Sequence, residues 1–350
     1  MKIYSIIIVL FLNISFVSAQ IGGYGTYKFL SLAPTARMTA LGDHVISIND
    51  DDIGMAIENP ALLNNDMMKG ISISHKFLFA GINSGYAAFG FKAFKKKIPL
   101  FAGIQYIDYG ESDMTDVYGD KYGKVSGSEY ALIIGSSYNV YDRLNIGINT
   151  KFIYSSLASY VSSGIAVDLA AVYFIPSKMI TTGFMIKNLG GQLKSYTGKN
   201  EFAPVNVMFG VTKKLAHLPF RLSVTANYLN RWNLLYDNPD GENNILILGE
   251  TNTRSKFSEF SDNLFRHINF SGEFMLGKNG GPLRLRIGYN YKKSREMTVY
   301  PYRSFAGFSF GFGIRIKKIR FDYAYSIYHL AGGKSHFTVS ANLNDFNKKL

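Results

Sequence analysis

The sequence has no cysteine, a single tryptophan and nine prolines among its 350 residues. The absence of cysteine excludes a disulfide-stapled extracellular scaffold. Beyond its N-terminal run, the chain has no apolar stretch of the roughly 20 residues that a membrane-spanning helix needs, so helical spans are not expected. The six histidines include no pair at the three- or four-residue spacing typical of metal ligands.

The first 19 residues have the pattern of a secretory signal peptide. Lys2 gives a positive start, Ile3–Val17 is an apolar run with isolated polar residues, and Val17-Ser18-Ala19 supplies small residues before a cleavage site. This pattern predicts Gln20 as the first residue of the exported chain. A membrane-anchor helix is the alternative, and the shortness of the run disfavours it.

Residues 70–350 alternate between apolar and polar side chains. Leu283–Lys292 places Leu, Leu, Ile, Tyr and Tyr on one face and Arg, Arg, Gly, Asn and Lys on the other. A period of two is typical of β-strands, and abundant Phe, Tyr and Gly fit strands with one lipid-facing side. The segment therefore predicts an all-β fold, a transmembrane antiparallel β-barrel of about 14 strands. A soluble all-β protein is the alternative, and it would have to bury those aromatic stripes against a second sheet.

The predicted connections differ in length at the two ends of the strands. Those after even-numbered strands are short, whereas most of those after odd-numbered strands are long. The long ones are Gly110–Ser128, Gly190–Ala203, Leu229–Phe265 and Lys293–Ser304. Outer-membrane barrels have short periplasmic turns and long external loops, so we expect an outer-membrane location with loops on the cell surface. The net charge of +13 does not indicate nucleic-acid binding, because the basic residues are scattered among the strands.

Residues 20–69 do not alternate and form a separate segment. Asp50-Asp51-Asp52 precedes Ile53, where it would cap a short helix that ends before Pro60. A barrel of this size has a lumen too wide for its own side chains to fill. The sequence therefore predicts that residues 20–69 form an N-terminal luminal plug. A disordered periplasmic tail is the alternative, which the apolar content of the segment disfavours.

Opposite charges would dock this plug against the barrel wall. Carboxylates of the segment would face guanidinium groups at inward positions of the strands. The charges expected to meet are Asp50, Asp51, Asp52 and Glu58 on the plug, and Arg284, Arg286, Arg315 and Arg320 on the wall. The carboxylates lack the oxygen spacing of an EF-hand loop, so neither a metal ion nor another cofactor is predicted.

Asn59-Pro60-Ala61, just before the first predicted strand, resembles the hatch motif of the FadL-like long-chain fatty acid transporter superfamily. Gly22–Leu30, with Pro34–Arg37 and Ala40-Leu41-Gly42, resembles more narrowly the PorV/PorQ family of the type IX secretion system of Bacteroidota. The resemblance implies a FadL-like barrel in which Asn59, Pro60 and Ala61 form a plug element. It further implies a non-enzymatic member of the attachment complex, which holds a PorZ-like surface protein. Through that protein it works with PorU and PorV in processing cargo and attaching it to lipopolysaccharide.

The loop Leu229–Phe265 is the predicted partner-binding surface, because apolar patches in exposed loops mark interaction sites and Trp and Tyr are favoured anchors. The expected contact residues are Trp232, Leu235, Tyr236, Ile245, Leu246 and Ile247. A loop that folds inward as a second plug is the alternative.

Two other functions remain open at this point. One is a FadL-like passive transporter of a hydrophobic small molecule. The other is a lipid-modifying enzyme, which is disfavoured because the sequence has no G-x-S-x-G nucleophile motif.

Overall fold

The computed structural model describes residues 25–93, 98–235, 255–277, 281–297, 304–329 and 332–347. The predicted signal peptide, residues 1–19, lies outside these ranges. Within them, the strands form one closed antiparallel barrel, in which β1 pairs with β14 and each other strand pairs with its neighbours in the chain. The strands are β1 (Gly70–Phe77), β2 (Asn83–Ala93), β3 (Ile98–Thr115), β4 (Lys121–Tyr141), β5 (Leu144–Leu157), β6 (Tyr160–Ile175), β7 (Ile180–Lys194), β8 (Asn206–Lys214), β9 (Phe220–Ala226), β10 (Ile268–Leu276), β11 (Leu283–Asn290), β12 (Phe308–Ile316), β13 (Ile319–His329) and β14 (Gly332–Asn342).

The barrel wall has an apolar outside and a polar inside. In β13, Phe321 and Tyr325 are exposed on the outer face, whereas Arg320 and Asp322 are buried on the inner face. Closure pairs the first strand with the last and so removes the open strand edges that hydrocarbon does not tolerate. The predicted fold, a transmembrane antiparallel barrel of 14 strands, is confirmed. In the described residues, no helix is both long and apolar enough to cross a membrane.

Residues 25–69 lie inside the barrel as a chain of short elements, which we call the plug. Helix α1 (Ala36–Ala40) begins after Thr35, whose hydroxyl accepts a hydrogen bond from the Met38 N–H at 3.3 Å. Helix α2 (Ile53–Glu58) begins after Asp52, whose carboxylate accepts from the Gly54 N–H at 3.0 Å, as the carboxylate cluster predicted. Three 3-10 turns complete the plug: Lys28–Ser31, Pro60–Leu62 and Asn65–Met67.

The apolar core lies between the plug and the inner face of the wall. Two groups of buried side chains join them, one around α2 and one around α1. In the first group, Ile57 of the plug packs with Phe101 and Ile133 of the wall. The second group includes Met38 of α1 together with Met185 of β7 and Met208 of β8. The plug is therefore held by hydrophobic burial as well as by charge.

We call the end where β1 begins the turn end, and the opposite end the loop end. At the turn end, β4 is joined to β5 by residues 142–143 and β12 to β13 by residues 317–318. At the loop end, α3 (Lys256–Arg266) covers the last part of the predicted loop Leu229–Phe265 and extends one residue beyond it. Helix α4 (Tyr291–Glu296) overlaps the start of the predicted loop Lys293–Ser304. A last helix, α5 (Leu343–Asn347), follows β14.

The prediction of a loop over Gly110–Ser128 was wrong, because β3 and β4 continue as a hairpin up to Thr115 and from Lys121. Opposite charges stabilise this extension across the strands, with Lys124 Nζ 2.9 Å from Glu111 Oε2. Such a strand has no apolar face, so the alternation that revealed the other strands is absent here. The predicted loop Gly190–Ala203 likewise begins as strand, because β7 continues to Lys194.

Candidate functional site: the plug and the loop-end surface

Arg37 of α1 is the centre of a buried ion network near the turn end. Its guanidinium donates to Asp50 (2.7 Å), to Asp52 (3.0 Å) and to Glu273 of β10 (3.0 Å). The Arg37 side chain is 1% exposed. A buried charge needs partners to offset its desolvation, and here the partners come from the plug segment before α2 and from the wall. The contacts therefore hold α1 and the start of α2 together and fasten both to β10.

Guanidinium groups of the wall surround the same carboxylates. Arg221 donates to Asp50 at 3.0 Å and to Glu273 at 3.2 Å. The Arg286 guanidinium donates one hydrogen bond to Glu273 at 2.8 Å and another to Asp322 at 2.6 Å. Burial alone would raise the pKa of the Asp50 carboxyl, but the facing guanidinium groups outweigh it and hold this pKa well below its usual range. The plug carboxylates in this network are thus held ionised.

Three predicted wall arginines differ in how firmly they meet the plug. Arg320 Nη2 lies 2.7 Å from Asp52 Oδ2 in a buried pair. Arg315 Nη2 lies 2.6 Å from Asp51 Oδ2, but these two side chains are 41% and 39% exposed. Arg284 comes no closer to Asp50 than 3.8 Å. The strength of docking therefore falls from the buried pairs to the pair at the mouth of the barrel.

The charge arrangement is more balanced than the one predicted. The sequence predicted acidic groups on the plug and basic groups on the wall, whereas the structure also places Arg37 on the plug and Glu273 and Asp322 on the wall. Asp322 lies two residues from the inward Arg320 on β13, a signal that the sequence offered. Glu273 instead faces Arg221 of β9 and Arg286 of β11, and these pairings depend on the register of neighbouring strands. Arg37 lies in the plug, where the sequence does not alternate. The sequence pattern therefore could not show that its side chain meets carboxylates.

Glu58 does not join the arginine network. Its carboxylate accepts from Lys187 Nζ of β7 at 2.5 Å and lies 3.4 Å from His44 Nδ1. Burial would raise the pKa of Glu58, but the Lys187 ammonium and His44 lower it to about 2. This second fastening lies deeper in the lumen, and the sequence did not single out Lys187.

Asp43 provides a third fastening towards the loop end. It accepts a hydrogen bond from the Lys293 ammonium of α4, and its carboxylate lies 3.8 Å from Lys76 Nζ of β1. Burial raises the pKa of Asp43, but these two ammonium groups lower it below its ordinary value by a larger amount. The plug is therefore tied both to the wall and to a helix of the loop end.

Asn59-Pro60-Ala61 forms a tight turn against the wall. The Asn59 side chain accepts from the Ala61 N–H at 2.9 Å and donates to the Ile46 carbonyl at 2.5 Å. Gly147 of β5 lies directly beneath this turn, and a Cβ at Gly147 would come within 2.3 Å of the Ala61 nitrogen. The turn thus depends on the Asn59 amide inside the plug and on a glycine in the wall.

The wall between β7 and β8 is irregular in its loop-end half, because β8 begins only at Asn206. Nearer the loop end, the edge of β7 instead forms hydrogen bonds with the segment that precedes β8. There the Ala203 N–H donates to the Gly190 carbonyl at 2.9 Å. The plug then bonds to that loop, since the Thr26 N–H donates to the Phe202 carbonyl at 3.1 Å. We call residues 201–205, together with the edge of β7, the seam.

The predicted partner-binding residues are only partly described. Trp232 is 53% exposed and stacks on His267 with ring centroids 5.3 Å apart. Phe260 of α3 lies 5.6 Å from the Trp232 ring, and Phe257 is 79% exposed on the same helix. Leu235 is half-buried. Tyr236, Ile245, Leu246 and Ile247 lie outside the described residues.

No three His, Cys, Asp or Glu side chains of the described chain are grouped to hold a metal ion. The carboxylates of the plug instead face arginine and lysine side chains.

Known structures share this architecture. The Pseudomonas putida toluene transporter TodX superposes with a TM-score of 0.53 at 11% sequence identity, over 92% of this chain and 98% of TodX. A TodX variant described as the ΔS2S3 mutant of a monoaromatic hydrocarbon channel gives a TM-score of 0.50 at 12% identity, over 88% of this chain and 97% of the variant. The chain therefore shares the fold of these structures. No protein-family model and no curated protein matches the sequence.

Proposed function

We propose that the chain is a non-enzymatic outer-membrane protein whose plugged barrel anchors a protein complex at the cell surface. On the resemblance carried by Gly22–Leu30, Pro34–Arg37 and Ala40-Leu41-Gly42, this is the attachment complex of the type IX secretion system. Its direct partner is then a PorZ-like surface protein that works with PorU and PorV. The turn end faces the periplasm and the loop end the cell surface, in keeping with short turns and long loops.

The fastening of the plug by separate ion pairs is the observation that carries the proposal. Arg37, Glu58 and Asp43 each bind partners outside their own plug segment. Breaking a buried ion pair by removing one partner costs about 3–5 kcal/mol. Transport of a molecule through the lumen would require several of these ion pairs to break at the same time. An anchoring protein, in contrast, gains rigidity from them.

The apolar side chains of the loop end support an interaction with a protein partner. Trp232 lies against Phe260 of α3, and the exposed Phe257 precedes Phe260 by about one turn of the same helix. Exposed aromatic clusters of this kind are typical anchors of protein interfaces. We therefore assign the partner contact to this cluster, which we call the aromatic cluster.

The test is affinity capture of the tagged protein from its native outer membrane in mild detergent, followed by mass spectrometry. We expect a large surface protein in near-equal amount with the wild type, and about tenfold less with the double variant Trp232→Ser and Phe260→Ser. The matched control is Val117→Ser with Tyr118→Ser, two side chains that are 93% and 88% exposed at the same end of the barrel. Equal recovery with both double variants would count against the assigned contact. A barrel recovered without any surface protein would count against the anchor function.

A passive transporter of a hydrophobic small molecule is the second candidate. The likeness to TodX, a toluene transporter by description, favours it. This function predicts a hydrophobic molecule that co-purifies with the barrel. It also predicts that cells carrying Arg37→Met take that molecule up faster than the wild type, because the variant loosens the plug. An unchanged rate in an Arg37→Met variant whose plug is shown to be open would exclude the lumen as the path.

A further inference from the structure

The ion network around Arg37 contains one more cation than anion. Ion pairs link six guanidinium groups to five carboxylates. The cations are Arg37, Arg221, Arg284, Arg286, Arg315 and Arg320, and the carboxylates are Asp50, Asp51, Asp52, Glu273 and Asp322. The exposed pair of Arg315 and Asp51 is balanced in itself. The rest of the network, which is largely buried, therefore has five guanidinium groups for four carboxylates.

Arg284 of β11 is the guanidinium that this imbalance leaves without a close partner. Its side chain is only 9% exposed, and its Nη1 atom lies 3.8 Å from Asp50 Oδ2, too far for a hydrogen bond. Asp50 is already bound by Arg37 at 2.7 Å and by Arg221 at 3.0 Å. Among the described residues, Arg284 Nη1, Arg37 Nε and Arg286 Nη2 are buried without a hydrogen-bond acceptor. The network thus combines an excess positive charge with unused N–H donors.

A change of protonation does not relieve this excess. A guanidinium group keeps its proton at physiological pH, and the facing arginines already hold Asp50 ionised. Water accepts hydrogen bonds from N–H groups, but it carries no charge and leaves the imbalance in place. A buried charge without a counterion is strongly unfavourable, so a bound anion is the occupant that satisfies both the charge and the donors.

The surroundings of Arg284 favour a small anion. Arg284 is the second residue of β11, close to the turn end, and it lies across from Met275 of β10 and Gly313 of β12. Arg286 and Asp322 fill the space over Gly313, since a Cβ there would lie 2.9 Å from Arg286 Nη2 and 2.2 Å from Asp322 Oδ1. An ion can reach Arg284 from the turn end, but these side chains leave little room for an organic molecule.

We propose that the network binds one small inorganic anion, of the size of chloride, at the Arg284 guanidinium. The anion accepts charge-assisted hydrogen bonds from Arg284 and brings the buried charges into balance. When the plug leaves, water solvates the wall arginines, and attraction between exposed charges in water is weak. The anion therefore binds the docked plug more tightly than the open lumen and stabilises the docked state.

The test uses the purified full chain in halide-free detergent buffer, at constant ionic strength set with sodium gluconate. Replacing gluconate with chloride or bromide leaves general screening unchanged. Hydrogen–deuterium exchange of peptides covering α1 and α2 reports plug docking, and broadening of the chloride NMR signal reports binding itself. We expect exchange to slow about tenfold at a halide concentration of about ten times Kd. Phosphate, which is larger, should not slow it.

Two variants remove the need for the anion in different ways. Arg284→Met removes the excess charge, so halide should no longer slow exchange or broaden the chloride signal, and the plug in gluconate should be at least as protected as in the wild type. Met275→Glu places a carboxylate across from Arg284 and should also abolish the halide effect. The matched control Arg143→Met, on the exposed β4–β5 turn at the same end, should keep it. Heat-modifiable gel migration confirms that each barrel is folded.

Three results would contradict the site. Exchange in the wild type that does not respond to halide would leave water as the occupant and overturn the proposal. An equal halide response in the wild type and Arg284→Met would remove Arg284 from the site. A response to phosphate as large as that to bromide would overturn the assignment to a small anion.

Discussion

Replacing Arg37 with methionine should loosen the plug while leaving the barrel closed. The substitution keeps much of the side-chain volume but removes the guanidinium that Asp50, Asp52 and Glu273 share. Wall arginines still contact these carboxylates, so we take the lower limit of the range for a broken buried pair, about 3 kcal/mol. This loss multiplies the population with an undocked plug by roughly 100-fold.

Hydrogen–deuterium exchange of peptides covering α1 and α2 measures that population directly. Arg315→Met is the matched control, because Arg315 also meets a plug carboxylate, Asp51, but both side chains are about two-fifths exposed. An exposed pair contributes at most about 1 kcal/mol, which corresponds to roughly a fivefold change in exchange. Similar exchange in the two variants, or no change with Arg37→Met, would refute the assignment of Arg37 as the centre of the network.

Three further perturbations test other contacts of the plug. Glu58 has an ordinary pKa of 4.5 that is lowered to about 2 in the fold, so its stabilisation is complete above pH 4.5 and is lost as the pH falls through 2. The thermal midpoint should fall less across that interval in Glu58→Gln than in the wild type. Gly147→Ala should displace the plug turn, because the new Cβ would lie 2.3 Å from the plug backbone, and hydrogen exchange of the turn should become faster. The control Gly123→Ala should leave this exchange unchanged, because the nearest atom to its Cβ is 3.6 Å away. Asn59→Ala leaves the buried Ile46 carbonyl without its donor at 2.5 Å and should lower the free energy of plug docking by about 1–3 kcal/mol in the same exchange measurement.

The barrel was predictable because lipid and lumen impose opposite demands on alternate residues. Apolar and polar residues alternate in this way from Leu283, and β11 begins at Leu283 as predicted. Where lipid does not contact the strand, the signal disappears, as in the polar hairpin from Glu111 to Lys124. The helix cap at Asp52 was also predictable, because capping is a local property of the chain.

The pairings inside the lumen could not be predicted with the same precision. Which carboxylate meets which cation depends on the three-dimensional path of an aperiodic segment, and that path depends on packing against all sides of the wall. Asp50 was expected at an arginine of the wall and meets Arg37 as well. Glu58 pairs with Lys187. The period of the strand predicts that Lys187 points inward, but it does not predict the position of Lys187 along the barrel axis.

The exit of the plug at the turn end has a consequence for the order of assembly. The Lys69 carbonyl accepts from the Leu343 N–H at 3.0 Å, and the Met68 carbonyl accepts from the Asn344 side chain at 3.0 Å. The residues that lead from the plug into β1 are thus fastened by the residues that follow β14. These contacts cannot form until β14 has paired with β1, because Leu343 and Asn344 directly follow β14. Seating of the plug and closure of the barrel should then occur as a single late event in biogenesis.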